Sequence, residues 1–369
     1  MKIAIIGAGI GGLCLAQGLV RNGFDVTVYE RDAALDSRGQ GYRLHLDAGR
    51  ALHACLPPDL YQLCVATSGR PSTEINVVTS RLRRKKRLEY GFPADPADPE
   101  TLSTSVNRRT FREILAVGLD IRHDKTCTSF EQHNDTVSIA FEDGTQAEAD
   151  VLVGADGVAS RVRGQYLPHA RSNQTGDVCV YGRTPLTPES RALIPDYMWR
   201  GFTAVIGRGV GMAAGVLDFR EPPQDAAARI APDVKLTAVP GYLMWALTAP
   251  ARRFAVAPGD SPERLHAIAA RTIRRWHPDL RRLVDLAAVE DTTLVTIRIA
   301  EPVEPWQPTR VTVLGDAIHA MSPSRGSGAN IALRDAALLT TELSTPGKPV
   351  TAAIADYERQ MASYAWGTR

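Results

Sequence analysis

Lys2-Ile3-Ala4-Ile5-Ile6-Gly7-Ala8-Gly9-Ile10-Gly11-Gly12 runs into Leu13-Cys14-Leu15-Ala16-Gln17-Gly18-Leu19-Val20, and Val26-Thr27-Val28-Tyr29-Glu30 follows. The first stretch reads as an apolar strand entering G-x-G-x-x-G, the second carries helical apolar spacing, and the third is a second strand closed by an acid. Each glycine has its own physical task. Gly7 permits the tight turn, Gly9 lets backbone N–H groups at the positive end of the helix approach a pyrophosphate, and Gly12 lets helix and strand pack closely. Glu30 stands where a carboxylate accepts hydrogen bonds from ribose hydroxyls, which favours an adenosine without a 2′-phosphate. The whole is a dinucleotide-binding βαβ unit, and at this point NAD and FAD both fit.

Two later stretches separate them. Val151-Leu152-Val153-Gly154-Ala155-Asp156-Gly157-Val158-Ala159-Ser160-Arg161-Val162-Arg163 is an apolar strand running into Asp-Gly and a basic helix start. Val311-Thr312-Val313-Leu314-Gly315-Asp316-Ala317-Ile318-His319 is another buried strand closed by Gly-Asp, and Met321-Ser322-Pro323-Ser324-Arg325-Gly326-Ser327-Gly328-Ala329-Asn330 opens a helix expected over 331–342. Asp-Gly taken alone is a turn signal, and its place in this series is what makes it a site. An aspartate on a strand end can hold a ribityl hydroxyl, and bare glycine amides at a helix N-terminus suit an anionic reduced isoalloxazine. His319 follows the strand in a segment expected to cross the core, where a hydrogen-bonded structural histidine is the better reading than a catalytic base.

These motifs resemble, in order and separation, those of the para-hydroxybenzoate hydroxylase family of single-component FAD monooxygenases, and they span nearly the whole chain. The resemblance implies an α/β fold. It consists of a Rossmann-like FAD-binding domain of the glutathione-reductase type (1–70, 101–170 and 300–343), an interleaved β-sheet substrate domain (71–100 and 171–299) and a C-terminal helix within 344–369. It further implies that Gly7, Gly9, Gly12 and Glu30 hold the ADP half of FAD with Arg31 beside the adenosine. Asp156 and Gly157 would contact both FAD and the incoming nicotinamide cofactor, and Asp316 the ribityl chain. Pro323, Gly326, Gly328, Ala329 and Asn330 would lie against the flavin ring. Asn107-Arg108, ahead of a helix expected over 110–117, is similar to the family's Asn-Arg or Gln segment, which makes Arg108 a ribityl or phosphate contact. Arg38, ahead of Gly39-Gln40-Gly41, resembles a family arginine near the mobile flavin and NADPH. Arg31, Arg38 and Arg108 can each also be read as solvated charges, and Arg108 has the tightest context.

The activity this implies is hydroxylation or epoxidation of an aromatic or polyketide-like small molecule, with NADPH or NADH as transient co-substrate and O2 activated as a flavin C4a-hydroperoxide. The protein would orient the cofactor, stabilise reduced-flavin charge and exclude water. No substrate-activating base is identifiable from the residues. A reductase or oxidase on the same fold, without oxygen insertion, is the competing reading. Flavin halogenases are disfavoured, since none of the five tryptophans belongs to a W-x-W-x-x-I-P segment. The chain is expected to match the shorter family members, without the thioredoxin-like C-terminal domain of the larger phenol and polyketide hydroxylases.

Composition sets limits. The chain has 369 residues and 44% hydrophobic content, enough for one large core or two closely associated domains. A net charge of +2 argues for neither nucleic acid nor an acidic membrane surface as a partner. Five cysteines, at 14, 55, 64, 127 and 179, form no C-x-x-C and are odd in number, which argues against a disulfide framework or zinc site and for a reducing cytoplasm. No window holds about 18 consecutive apolar residues, the length a membrane helix needs, and the apolar start is needed as the first strand. A monomer or homodimer is expected.

Between the motifs the patterning changes. Residues 73–92 alternate in part and contain Arg81-Leu82-Arg83-Arg84-Lys85-Lys86-Arg87, a run best read as the solvated turn of a hairpin. Thr203–Ile206, Gly211–Phe219 and Gly241–Thr248 read as strands and Pro262–Trp276 as an amphipathic helix, with Leu265, Ile268, Ala269, Thr272 and Ile273 on one face. Trp245, Tyr242, Met212, Met244 and Phe219 could line an aromatic pocket, but core packing is the safer reading for most of them.

Overall fold

The computed structural model describes residues 1–35, 42–89, 98–322 and 326–366. The chain opens with β1 (Lys2–Ile6), α1 (Ile10–Arg21) and β2 (Asp25–Tyr29), then β3 (Arg43–Leu46), α2 (Gly49–Cys55), α3 (Pro58–Ala66), β4 (Glu74–Thr79) and β5 (Arg84–Glu89). β6 (Thr104–Asn107) runs into α4 (Arg108–Leu115), and β7 (Asp120–Arg122), β8 (Cys127–Gln132), β9 (Val137–Phe141), β10 (Gln146–Ala149), β11 (Val151–Gly154) and α5 (Arg161–Tyr166) follow. Next come β12 (Ser172–Pro185), α6 (Pro188–Leu193), α7 (Asp196–Trp199), β13 (Gly201–Ile206), β14 (Gly211–Leu217), α8 (Pro223–Ile230), β15 (Tyr242–Pro250), α9 (Ala251–Phe254), α10 (Pro262–Thr272) and α11 (Pro278–Asp285). The last elements are β16 (Thr293–Ala300), β17 (Val311–Val313), α12 (Asp316–His319), α13 (Gly328–Leu343) and α14 (Val350–Trp366).

Four largely apolar, buried strands and the exposed edge strand β7 form a parallel sheet in the order β17-β11-β1-β2-β7. Parallel strands of this kind must be covered by helices, and α1, α13 and α14 supply the cover with Leu13, Leu15, Leu333, Leu339 and Ile354 in one continuous core. β1 lies between β2 and β11, so the chain leaves it toward one side through α1 and meets β11 on the other. The crevice at the carboxyl ends of β1 and β11 is therefore the switch point where α/β sheets bind ligands.

The second sheet has seven strands in the order β16-β12-β15-β14-β13-β4-β5. Alternation sorts its side chains. Val178, Val180, Leu243, Trp245, Leu247 and Met212 pack beneath α10 and α11, whereas Tyr181, Tyr242, Met244 and Leu217 face the nucleotide-binding unit. The two-stranded ribbon of β3 and β6 lies between these layers, where Asn107 donates from Nδ2 to the Tyr242 hydroxyl at 3.1 Å. Tyr242, Met244, Trp245 and Met212 are all buried, as the core reading expects.

Three helix boundaries differ from the sequence reading. α4 begins at Arg108 rather than 110, because the Asn107 side chain accepts from the N–H groups of Arg109 and Thr110 and caps it there. α10 stops at Thr272, and the chain turns so that Trp276 N–H bonds to Ile273 O at 2.7 Å. α13 begins at Gly328, three residues before the expected 331. The basic run occupies both the β4–β5 turn, where Leu82 takes φ +57°, and the exposed edge strand β5. Charge on an edge strand blocks pairing with another chain.

α14 is fastened through Glu358, whose Oε1 accepts from the Thr312 hydroxyl at 2.8 Å. Burial pushes this carboxyl up to about 7 against its hydrogen bonds. The native state thus keeps a proton that the unfolded chain releases above the ordinary carboxylate value, so stability falls as pH rises through that window to about 7. Glu358→Gln, neutral at every pH, should raise the midpoint of thermal unfolding by several degrees at about pH 8 and leave it nearly unchanged at about pH 4. Equal shifts at both pH values would show that ionisation of Glu358 is not the cause.

Candidate functional site

The register of the parallel sheet sets Ile6 beside Gly154, and Gly154 beside Val313, so the turns after β1, β11 and β17 lie side by side. Gly7 has φ +109°, and a Cβ there would stand 2.4 Å from Ala155 O. A Cβ on Gly12 would stand 2.2 Å from Gly7 O. Both glycines are demanded by the fold itself. Gly9 differs: it is extended, it forms the N-cap of α1 with no capping side chain, and a Cβ there would find only Ala155 O, at 4.0 Å.

Beside this turn the Glu30 carboxylate is buried and accepts from Ala8 N–H at 2.8 Å and Asp32 N–H at 3.0 Å. Arg112 grips the other side of the turn, donating from Nε and Nη2 to Ala8 O at 3.0 and 2.8 Å and from Nη1 to Leu35 O at 2.9 Å. Arg108, one helical turn earlier on α4, lies on the wall of the same cavity with its guanidinium 5.7 Å from the centre of the Tyr42 ring. Arg31 reaches that wall as well, half exposed. The cavity has a volume of about 790 Å³, within the range of ligand sites, and runs from Gly7 and Gly9 past Glu30 to Lys125, Asp156 and Arg161. Its cations suit an elongated anionic ligand.

Asp156 accepts from the hydroxyl of Ser160, the N-cap of α5, at 2.5 Å and from Arg161 N–H at 2.7 Å, while Gly157 takes φ +76°. Burial raises its carboxyl, and these hydrogen bonds pull it back. The plain-turn role and a place on the cavity wall coexist in one residue. From α5, Arg163 donates to Ala317 O at 2.7 Å, tying the Asp156 turn to the Gly315-Asp316 turn.

Asp316 opens α12 with its side chain reaching solvent, yet the surrounding protein raises its carboxyl above the ordinary value, against the charges of His319 and Arg108. Behind it stands Asp335, fully buried. Gly315 N–H donates to Asp335 Oδ2 at 2.8 Å, His319 Nε2 lies 2.5 Å from the same oxygen, and the Tyr364 hydroxyl donates to Oδ1 at 2.6 Å. Burial disfavours a charged ring, but the charge and hydrogen bond of Asp335 outweigh it and raise the His319 pKa. His319 is thus a structural partner. At the start of α13, Asn330 is committed to backbone: Oδ1 accepts from Asp47 N–H at 3.0 Å and Nδ2 donates to His45 O at 3.1 Å. Gly326 has φ +64° and a Cβ there would stand 3.9 Å from His45 Cβ, whereas a Cβ on Gly328, the first residue of α13, would stand 3.8 Å from Asp316 Oδ1, so the start of α13, with Ala329 next in the helix, adjoins the Asp316 turn.

Arg38 and Pro323 lie outside the described residues. Among the described residues no group of three or more His, Cys, Asp or Glu could hold a metal ion, and no helix is long and apolar enough to cross a membrane. Three site-building residues escaped sequence reasoning. Arg112 was within reach, being four residues from Arg108 on one helix face. Arg163 was read only as part of a basic helix start and Asp335 not at all, because the partners that give them their roles, Ala317 O for Arg163 and Gly315 N–H, His319 and Tyr364 for Asp335, are distant in the chain. Asp335→Ala should cost about 3–5 kcal/mol in chemical unfolding by leaving His319 buried without its counter-charge, and Tyr364→Phe should cost less. A cost below about 1 kcal/mol for Asp335→Ala would refute the role given to this carboxylate.

The family described as FAD binding domain matches residues 1–181 and 239–368. The dual O-methyltransferase/FAD-dependent monooxygenase CTB3 of Cercospora beticola is 34% identical over 400 residues, covering 98% of this chain and 44% of that protein. The chain therefore spans less than half the length of the first curated relatives it matches. The FAD-dependent monooxygenase dbaB of Emericella nidulans is 30% identical over 374 residues, covering 96% of this chain and 90% of that one. A crystal structure from Photorhabdus luminescens subsp. laumondii TTO1, assigned as an FAD containing monooxygenase, superposes with a TM-score of 0.82 at 32% identity, covering 99% of this chain and 94% of its own. With its crevice, its glycine turn and its second aspartate turn in place, the chain belongs to the FAD-binding family that the FAD-dependent monooxygenases share, and its cofactor is FAD.

Proposed function

We propose that this chain is a monooxygenase that uses FAD, NAD(P)H and O2 to put one oxygen atom into an aromatic or polyketide-like small molecule. One observation carries the cofactor geometry: Gly9 has open space where the fold itself would accept a side chain, at the N-terminus of a helix and on the wall of the large cavity. A pyrophosphate would use that space and those amides. Bound FAD supplies the redox chemistry, in which NAD(P)H gives hydride, one oxygen atom enters the substrate and the other leaves as water.

The residues do the holding. Gly9 receives the pyrophosphate at a turn that Gly7 and Gly12 allow to close, Glu30 and Arg31 flank the adenosine, and Arg112 keeps the turn in shape. Arg108 and Asp316 serve the ribityl chain, Asp156 and Gly157 stand beside it, and Gly326, Gly328, Ala329 and Asn330 border the flavin ring. Asn330 acts by holding the helix start, since its amide is spent on backbone. The helix dipole of α13 favours negative charge on the reduced ring. The FAD-binding unit is assigned to 1–70, 101–170 and 300–343, and the seven-stranded sheet forms the substrate side. Relatives named for their reactions support an oxygenated organic product, among them the 3-amino-4-hydroxybenzoate 2-monooxygenase PtnB3 of Streptomyces platensis, 27% identical over 372 residues and spanning 97% of this chain and 83% of that one. Five buried thiols agree with a reducing cytoplasm.

Two measurements test this. Gly9→Val should fold with nearly wild-type stability and purify without FAD, whereas Gly12→Val should lose stability as well, because its side chain collides with Gly7 O; yellow Gly9→Val protein refutes the phosphate-turn assignment. Oxidation of NADH and NADPH under air should accelerate with one member of a panel of phenolic, quinoid and polyketide compounds, with O2 uptake and little hydrogen peroxide. Hydride loss without O2 uptake would instead support the reductase reading.

A further inference from the structure

The basic run at residues 81–87 does not stand alone. At the β4–β5 turn, Ser80 N–H donates to Ile206 O at 3.0 Å and Ser80 O accepts from His277 N–H at 2.8 Å. The turn is thereby fastened to the end of β13 and to the junction of α10 and α11. The β13–β14 turn packs against the same junction, since a Cβ on Gly207 would stand 2.4 Å from Cζ2 of Trp276. From α9, Arg253 donates from Nη2 to Arg208 O at 2.7 Å. Stretches far apart in the chain, 80–83, 207–210, 251–254 and 271–281, therefore meet at one end of the seven-stranded sheet.

Together these stretches hold nine arginines and one acid. All nine arginines are exposed, and among the described residues none of them is ion-paired with a carboxylate, the nearby pairs being those of Arg264 and Arg282. The acid, Asp279, faces His277 instead, with Oδ2 3.4 Å from Nδ1. Arg84, Lys85 and Lys86 carry the positive charge on along the exposed edge strand β5. In a chain of net charge +2, this concentration leaves the remainder net negative. The small total thus conceals a molecule with one strongly positive end. Like charges gathered on one face repel one another, so that face fits a partner of opposite sign.

Two further observations select the partner. The aromatic rings of these stretches, Phe254 and Trp276, are both buried, which leaves no platform on which nucleic-acid bases could stack. Ile206, by contrast, is 57% exposed, more than any other large apolar side chain among the described residues. It stands next to the arginines, bonded through its carbonyl to Ser80 and followed by Gly207-Arg208. Its row across the sheet passes through Gly211 and Thr248 to Cys179, on the face that carries Tyr181 and meets the nucleotide-binding unit. We propose that this end of the sheet docks on the surface of an anionic lipid bilayer. The guanidinium forks meet the lipid phosphates, and Ile206 enters the boundary between headgroups and acyl chains. The attraction acts within a Debye length of the surface, about 8–10 Å, so the association is peripheral and reversed by salt.

The test floats FAD-loaded protein with vesicles of phosphatidylcholine, alone or doped with phosphatidylserine. Wild type should rise with the doped vesicles only, and the bound fraction should fall as salt increases from about 0.05 to about 0.5 M. Arg81→Glu/Arg275→Glu should weaken binding at least about 10²-fold, whereas Arg50→Glu/Arg359→Glu should weaken it less than about fivefold. The second pair makes the same change in net charge on exposed side chains elsewhere. Ile206→Ser should weaken binding severalfold at low and at high salt. Every variant should retain FAD and the wild-type unfolding midpoint, because these side chains are exposed. Equal binding to both kinds of vesicle, equal losses in the two double variants, or no flotation of wild type overturns the docking surface. Wild type that binds polyuridylate but not the doped vesicles overturns the bilayer as its partner. Flotation needs no turnover, so these outcomes are read independently of the monooxygenase activity.

Discussion

Two backbone turns approach each other so closely that one of them has no room for a side chain. Gly7 passes Ala155 O at a distance that excludes a Cβ, and Gly12 does the same to Gly7 O. This contact sets α1 against the sheet, brings the β1 and β11 turns together and opens the crevice between them. The cavity, the position of Glu30 and the direction of the first-turn amides of α1 all follow from it. Arg112 then holds the peptide at Ala8 from α4 with two hydrogen bonds to one carbonyl.

The other half of the site is held by charge instead of close approach. Asp335 places one carboxylate where a backbone N–H, an imidazole and a phenol all meet it. A buried carboxylate is expensive unless it is partnered, and here each partner belongs to a different element: the turn before α12, α12 itself and α14. The Asp316 turn is positioned through that convergence, and Arg163 joins it to the first half. Rigid placement of polar groups is what a cofactor site needs, since reorganisation at the moment of reaction would cost rate.

Legibility in the sequence followed the range of the interactions. The βαβ unit, the Asp156-Gly157 turn and the Asp316 turn were readable because each task is performed by neighbours in the chain: an apolar strand, a glycine, a helix start. His319 was readable as structural, although its partner Asp335 was not. The start of α4 was misplaced by two residues because Asn107 was read as a motif residue and not as a cap. The faces of the seven-stranded sheet could not be assigned, because alternation tells that Trp245 and Met244 lie on opposite sides but not which layer each will meet.

Sequence alone determined the cofactor class, the order of the motifs and the three glycines, because steric exclusion and helix-end amides act over a few residues and leave a spacing. Tertiary structure decided which glycine serves the fold and which leaves space for a ligand, since only packed neighbours distinguish Gly12 from Gly9. It also decided that Arg112, Arg163 and Asp335 build the site. Those roles depend on partners from 16 to 154 residues away, a separation across which no local pattern survives.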